Sequence, residues 1–296
     1  MVLPEITKHV DLHDTQFGSR STRVVYDTMA VLYEFIETHK DPYTTILSMD
    51  IEGGFDSIDI DLLADLLMAQ GCPRSLTIWV RFWASNRHAR FRFNGCASKE
   101  FYLNKGIPQG SPLSPFLFGV YFADIFGPRL KYTPLLQLFV SNYVDDGLVA
   151  ATGDSIAMVT GPIEEVYENC SQVARGGGRQ FCGLKTEWIG FGKDDWSSCM
   201  LGDVECFPTD DLHVLGMRFA CDRKMSNHVN YWLDRGLMVR ARIGALARRF
   251  GSDSGIGGWE VMRLMRGSYL PVVEYGLELV ASDAADVKRI DIHIQD

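Results

Sequence analysis

The stretch Ser141–Ala150, SNYVDDGLVA, sets two adjacent carboxylates, Asp145 and Asp146, between apolar residues on both sides. Like charges side by side repel, and burying either costs several kcal/mol unless a cation or a hydrogen-bond donor compensates. Two readings fit these ten residues alone. Asp146-Gly147 is a two-residue turn signal between the strand-like runs LFVSNYV and GLVAAT, so the acids could sit on a plain hairpin turn in solvent. Equally, the hairpin could carry an acid pair whose cost is offset by something bound there. The other motifs of the chain bear on the choice.

With 296 residues, 46% of them hydrophobic and 23% charged, the composition is that of a globular protein with material for one large core or two modest ones. No apolar run is long enough to span a bilayer, and the start MVLPEITKHVDLHD lacks the basic and apolar regions of a signal peptide. The expectation is an intracellular protein without a membrane partner, nucleus and cytoplasm not being distinguished. Seven scattered cysteines without a Cys-x-x-Cys pair suggest neither a disulfide framework nor a thiolate zinc site. The net charge of −9 speaks against a nucleic-acid partner, but its distribution is uneven. Residues 222–249 hold seven Lys or Arg against Asp222 and Asp234, and NRHARFR, Asn86–Arg92, is a second basic cluster interleaved with apolar residues.

Along the chain, Val25, Met29, Leu32 and Ile36 predict an amphipathic helix, and PYTTILSMDI predicts a buried strand running up to Asp50. Two helices are then expected over SIDIDLLADLLMAQGC and SLTIWVRFWAS, followed by a hairpin with Asn94-Gly95 at its tip. IPQGSPLSPFLFGVYFADIF reads as two Pro-containing loops entering an apolar helix. After the acid pair come a helix over SIAMVTGPIEEVYENCSQVAR and three short strand candidates, around 188–191, 200–207 and 213–219. From Asn227 the pattern is helical, which puts the best boundary near Ser226.

Three elements then converge. Asp50 stands at a strand end, where a carboxylate serves either as a site residue or as a helix N-cap, a role Asp56 could fill equally well. GIPQGSPLSP, Gly106–Pro115, fixes an unusual backbone path that delivers Gln109 and Ser111. The third is the YVDD hairpin. If Asp50 and Asp145 meet across neighbouring strands, they supply the oxygen ligands that Mg²⁺ prefers. Two such ions about 4 Å apart activate an attacking hydroxyl and stabilise the leaving oxygen. Nucleotidyl transfer needs that arrangement.

In this order and spacing, Asp-x-x-x-x-Phe-Asp, Gly-Ile-Pro-Gln-Gly-Ser-Pro-Leu-Ser-Pro and Tyr-Val-Asp-Asp resemble the palm of reverse transcriptases, those of non-LTR (LINE-type) retrotransposons above all. TQFGSRST, GLKTEWIGFG, HVLGMRF and the basic helical tail extend the resemblance from about Gln16 to Leu279. It implies an α+β fold: a polymerase palm with a small antiparallel sheet backed by helices, partial fingers and a helical thumb. The implied division is 1–43 as a residual fingers and palm-entry helix, 44–225 as palm with an inserted fingers portion, and 226–296 as thumb. Only fifteen residues precede Gln16, so the upstream fingers segment that clasps the triphosphate is expected to be lacking.

Carried over, the resemblance makes Asp50 and Asp145 metal ligands with Asp146 the adjacent acid, and counts Ile51 with both the metal and the nucleotide site. Phe55 would lie under the sugar and exclude a 2′-hydroxyl, favouring dNTPs. Gln109 and Gly110 would meet the incoming nucleotide. Lys185 is either a proton donor to pyrophosphate or an exposed lysine at a strand-loop junction. Leu215 and Gly216 would position the primer. The implied cofactor is a pair of Mg²⁺ ions, with Mn²⁺ an alternative. The implied partners are an RNA template, a DNA or RNA primer and dNTPs, with an element-encoded endonuclease region outside this chain. The competing expectations are an RNA-directed RNA polymerase of the same architecture and a nucleic-acid-binding fragment without turnover.

Overall fold

The computed structural model describes all residues except 1, 40, 124, 127–136, 177–178, 193–195, 250–255, 281–283 and 296. Its centre is a four-stranded sheet of β1 (Tyr43–Asp50), β2 (Gln137–Tyr143), β3 (Asp146–Gly153) and β4 (Glu187–Phe191). The order is β2-β3-β1-β4 with every neighbour antiparallel. Thr44 to Leu47 of β1 and Gly147 to Gly153 of β3 are buried without alternation, so these central strands are covered on both faces. β-Branched Thr44, Thr45 and Ile46 suit that environment. The buried Thr45 hydroxyl donates to the Val159 carbonyl at 3.2 Å, which satisfies it within the helix Ile156–Gly176 packed on β1 and β3.

Helix Val25–Thr38 lies against β2 with Met29 and Leu32 buried. Helix Ser114–Phe122 is buried almost all round and joins Leu63 and Leu67 of helix Ile60–Ala69 in the main core. These are the helices that the apolar spacing predicts. The cap of Ile60–Ala69 differs: Asp59, not Asp56, accepts from the Asp61 and Leu62 amides at 2.9 and 3.1 Å. The hairpin tip at Asn94-Gly95 forms as expected, both residues having positive φ, between Arg92–Phe93 and Cys96–Ala97. Among the described residues no helix is long and apolar enough to cross a membrane.

The chain separates into two compact units, Met1–Pro208 and Thr209–Asp296. This division falls upstream of the change in composition near Ser226, because the hairpin of Asp211–Val214 and Met217–Ala220 belongs to the second unit. Tertiary contacts hold it there. Buried His228, from helix Ser226–Arg249, accepts the Arg218 amide at Nδ1 (3.4 Å), while its Nε2 lies 2.9 Å from the Tyr275 carbonyl. Acceptance at one nitrogen and donation at the other require the neutral imidazole, and burial lowers its pKa accordingly. Tyr275 Oη donates to the Leu215 carbonyl at 2.6 Å, and the Trp232 indole to that of Gly216 at 3.1 Å.

Candidate active site

The acid cluster forms where the two central strands end. Asp50, last in β1, is the register partner of Asp146, first in β3, and Tyr143 pairs with Asp146 from the other side. The turn is therefore Val144-Asp145, two residues before the Asp146-Gly147 signal. Gly147 is used differently: a Cβ there would stand 2.4 Å from the Phe126 ring, so its bare backbone admits that side chain to the sheet. Val144 has φ +60°, an outlier for a β-branched residue, and the surroundings must hold it there. The strained turn delivers Asp145 into an open cleft of about 490 Å³ that Phe55, Gln109 and Gly110 also line.

What holds the turn is the segment around Gln16–Gly18. It runs beside β2 as a short parallel bridge, with Asn142 N donating to Thr15 O and Phe17 N to Asn142 O, both at 2.9 Å. The side chains of Gln16 and Asn142 are buried together, Asn142 Nδ2 donating to Gln16 Oε1. Gly18 then passes so close to the turn that a Cβ on it would stand 2.6 Å from the Val144 nitrogen and 2.9 Å from Val144 Cγ2. Arg20 ties this segment down by donating to the carbonyls of Leu12, His13 and Gln16. The sequence marks TQFG only by resemblance; its role as a brace emerges from these contacts.

The opposite wall of the cleft is built by backbone. Gly106 N donates to Ile58 O at 2.8 Å and Ile107 N to Phe55 O at 2.9 Å, docking the start of GIPQG on the turn that carries Phe55. Ser114 Oγ donates to Pro108 O at 2.6 Å and closes the loop onto its helix. The Phe55 ring rests on Phe118, centroids 4.8 Å apart. Lys185, in the turn Gly183–Lys185 before β4, reaches the Asp50 carboxylate at 2.9 Å. Ile51 is buried at its side chain, so only its backbone can serve the site. Cys182 N donates to Asp50 O and Glu52 N to Gln180 O, and this bridge pattern turns the Ile51 carbonyl away from residues 180–182.

Asp50, Ile51, Phe55, Gln109, Gly110, Asp145, Asp146 and Lys185 thus share one region of the first unit. Leu215 and Gly216 lie in the second unit, as the positive-φ turn of its hairpin.

Burial raises the carboxyl pKa of Asp145. Burial, followed by the charges of Asp145 and Asp50, pushes Asp146 up to about 6 from an ordinary 3.8. The hydrogen bond to Asp50 raises Lys185. Among the described residues no three His, Cys, Asp or Glu side chains stand as a ready-made metal group, and Asp50 is engaged by the Lys185 ammonium. The donor set nevertheless fits a hard divalent cation, being all oxygen, and burial raises the pKa of two of its carboxyls.

One consequence concerns stability. Between pH about 4 and 6 the folded chain binds more protons at Asp146 than the unfolded chain does, so stability declines as pH rises through that window. Above it the cost of the ionised group is fully present. In metal-free buffer Asp146→Asn is expected to raise the unfolding free energy near pH 7 by about 1–2 kcal/mol, and by much less near pH 4. Denaturant titrations at the two pH values measure this; an equal effect at both would contradict the buried, ionised acid.

A small antiparallel sheet backed by helices, with carboxylates gathered at the ends of its central strands, defines an α+β polymerase palm. Residues 1–219 match the family of reverse transcriptases (RNA-dependent DNA polymerases), and the chain belongs to that family. It is 32% identical over 75 residues to the Pol polyprotein of the type-2 retrotransposable element R2DM from Drosophila melanogaster, covering 25% of this chain and 7% of that protein. It is 24% identical over 132 residues to the RNA-directed DNA polymerase of the mobile element jockey from Drosophila funebris, covering 44% and 14%. The chain thus spans a small part of these relatives, which are of the retrotransposon kind that its motifs resemble. Among solved structures, apo telomerase from Candida tropicalis shares the fold at a TM-score of 0.50 and 12% identity, over 99% of this chain and 48% of that one.

Proposed function

We propose that the chain copies RNA into DNA, a primer 3′-hydroxyl attacking the α-phosphate of a dNTP in the cleft between Phe55, Gln109, Gly110 and Asp145. The observation that carries this reading is the register pairing of Asp50 and Asp146 at two strand ends beside Asp145, the acid of the connecting turn, which lines that cleft. Asp50, Asp145 and the Ile51 carbonyl are the groups to hold divalent ions, Mg²⁺ or Mn²⁺, with Asp146 adding negative charge beside them. When bound, the ions would supply Lewis-acid stabilisation of the attacking and leaving oxygens.

The residues of the chain perform the other tasks. Phe55, wedged on Phe118, presents a rigid ring where the sugar lies and rejects a 2′-hydroxyl by volume. Gln109 orients the nucleotide, and Gly110 leaves open space for it. Lys185 keeps its proton through its contact with Asp50, and so can give it to departing pyrophosphate. Leu215 and Gly216 hold the primer strand. An RNA template and a DNA or RNA primer are the partners.

The test is extension of a primed RNA template with dNTPs and Mg²⁺, followed with wild-type chain and Phe55→Ala. The wild type is expected to prefer dNTPs, and the variant to lose roughly 10–100-fold of that preference by accepting ribonucleotides, as relief of one steric clash allows. A wild type that incorporates only ribonucleotides, or a variant whose selectivity is unchanged, would overturn the assignment of Phe55 and the choice of dNTP.

A further inference from the structure

The hairpin between Arg87 and Leu103 is not used by the chemistry above, and its surface is unusual for one. Every residue from Arg90 to Glu100 is exposed, including Phe91 at 71% and Phe93 at 78% of their possible area, with Tyr102 at 67%. Large rings are rarely left in water without a purpose. Phe93 lies in the strand Arg92–Phe93 and Phe91 immediately precedes it. Phe91 also stacks on Phe101, centroids 5.2 Å apart and planes inclined by 27°.

The charge on the hairpin has the opposite sign to that of the whole chain. Residues 87–105 contain Arg87, Arg90, Arg92, Lys99 and Lys105 against Glu100 alone, within a protein of net charge −9. Glu100 is paired with Arg90 at 3.5 Å and with His88 at 3.6 Å. Arg87 is spent on structure, donating to the carbonyls of Ala84, Lys105 and Gly106. Arg92 and Lys99 form no ion pair with any described acidic residue.

We infer that this hairpin is a platform for single-stranded nucleic acid, with bases stacked on Phe91 and Phe93 and phosphates met by Arg92 and Lys99. Interleaved rings and free cations form the combination that binds single strands without reading their sequence. A second copy of the chain is disfavoured as occupant, since a twofold contact would set these cations against their own equivalents. The base of the hairpin leads directly into Gly106 and Ile107, docked on the Phe55 turn, so a strand held here sits on the element that feeds the loop lining the nucleotide cleft. On the proposed function, on which this last step rests, that strand is the unpaired RNA template awaiting copying.

The experiment measures binding of the full chain to a fluorescent single-stranded RNA oligonucleotide, without metal or dNTPs, over a range of salt. Phe91→Ala/Phe93→Ala is expected to weaken binding about tenfold or more, the loss expected for two stacked bases. Arg92→Gln/Lys99→Gln is expected to flatten the salt dependence by about two phosphate contacts. Unchanged RNA affinity in both variants overturns the proposal. So does unchanged RNA affinity together with a loss of self-association by the Phe variant, which would make the face a protein contact. Asp145→Asn, assayed in parallel, separates the two readings. If the wild type fails to extend primers yet the hairpin variants still lose RNA, polymerisation is refuted while the platform stands.

Discussion

Asp145→Asn is expected to reduce primer extension by at least about 10³-fold, equivalent to some 4 kcal/mol of transition-state stabilisation. Loss of a single oriented hydrogen-bond donor to a developing charge commonly costs about 10²–10³ in rate. Asp145 contributes a full charge on the two-residue turn that points it into the cleft. Asparagine keeps the shape and loses the charge, so the fold has no reason to suffer. Burial penalises the ionised form of Asp145, so the variant is expected to unfold no earlier than wild type above the carboxyl range. Rate lost with stability kept or gained is the signature of a group retained for chemistry. A variant that extends primers at the wild-type rate would remove Asp145 from the site and with it the proposed mechanism.

The elements of this site that are legible in the sequence share a property: their signals are local. A strand ending in Asp50, a Pro- and Gly-rich loop around Gln109 and an acid pair between apolar runs each fit within about ten residues. What is not legible depends on contacts between distant parts of the chain. The Asp-Gly signal misplaces the turn by two residues, Gly147 serving the packing of Phe126 instead. The hairpin 211–220 looks continuous with the sheet-bearing half until His228, Trp232 and Tyr275 are seen to hold it in the other unit. Asp56 is the cap expected from the sequence, but the helix starts at Ile60, which puts Asp59 in that role. The brace on the turn that carries Asp145 is the largest omission, since Gln16 and Asn142 lie 126 positions apart.

That brace leads to the second large effect. Gly18→Ala is expected to lower kcat by about 10²-fold, because displacements near 1 Å at reacting groups cost that much. Its new Cβ would meet the Val144 nitrogen at 2.6 Å, and backbone cannot rotate away as a side-chain tip can. Val144 already occupies a left-handed conformation that suits it poorly, so the turn has little tolerance for a further push. Overpacking of this kind also costs about 1–3 kcal/mol of stability. A control separates the two consequences. Gly161, in helix Ile156–Gly176, has open space where its Cβ would go, so Gly161→Ala should leave activity intact and stabilise slightly through helix propensity. If Gly18 acts through Val144, the double variant Gly18→Ala/Val144→Gly recovers part of the lost kcat, since glycine accepts the positive φ and removes the clashing Cγ2. Additive losses in that cycle would mean that Gly18 serves the fold alone. Unchanged nucleic-acid binding with reduced kcat, and recovery in the double variant, would make a segment remote in sequence the device that aims Asp145.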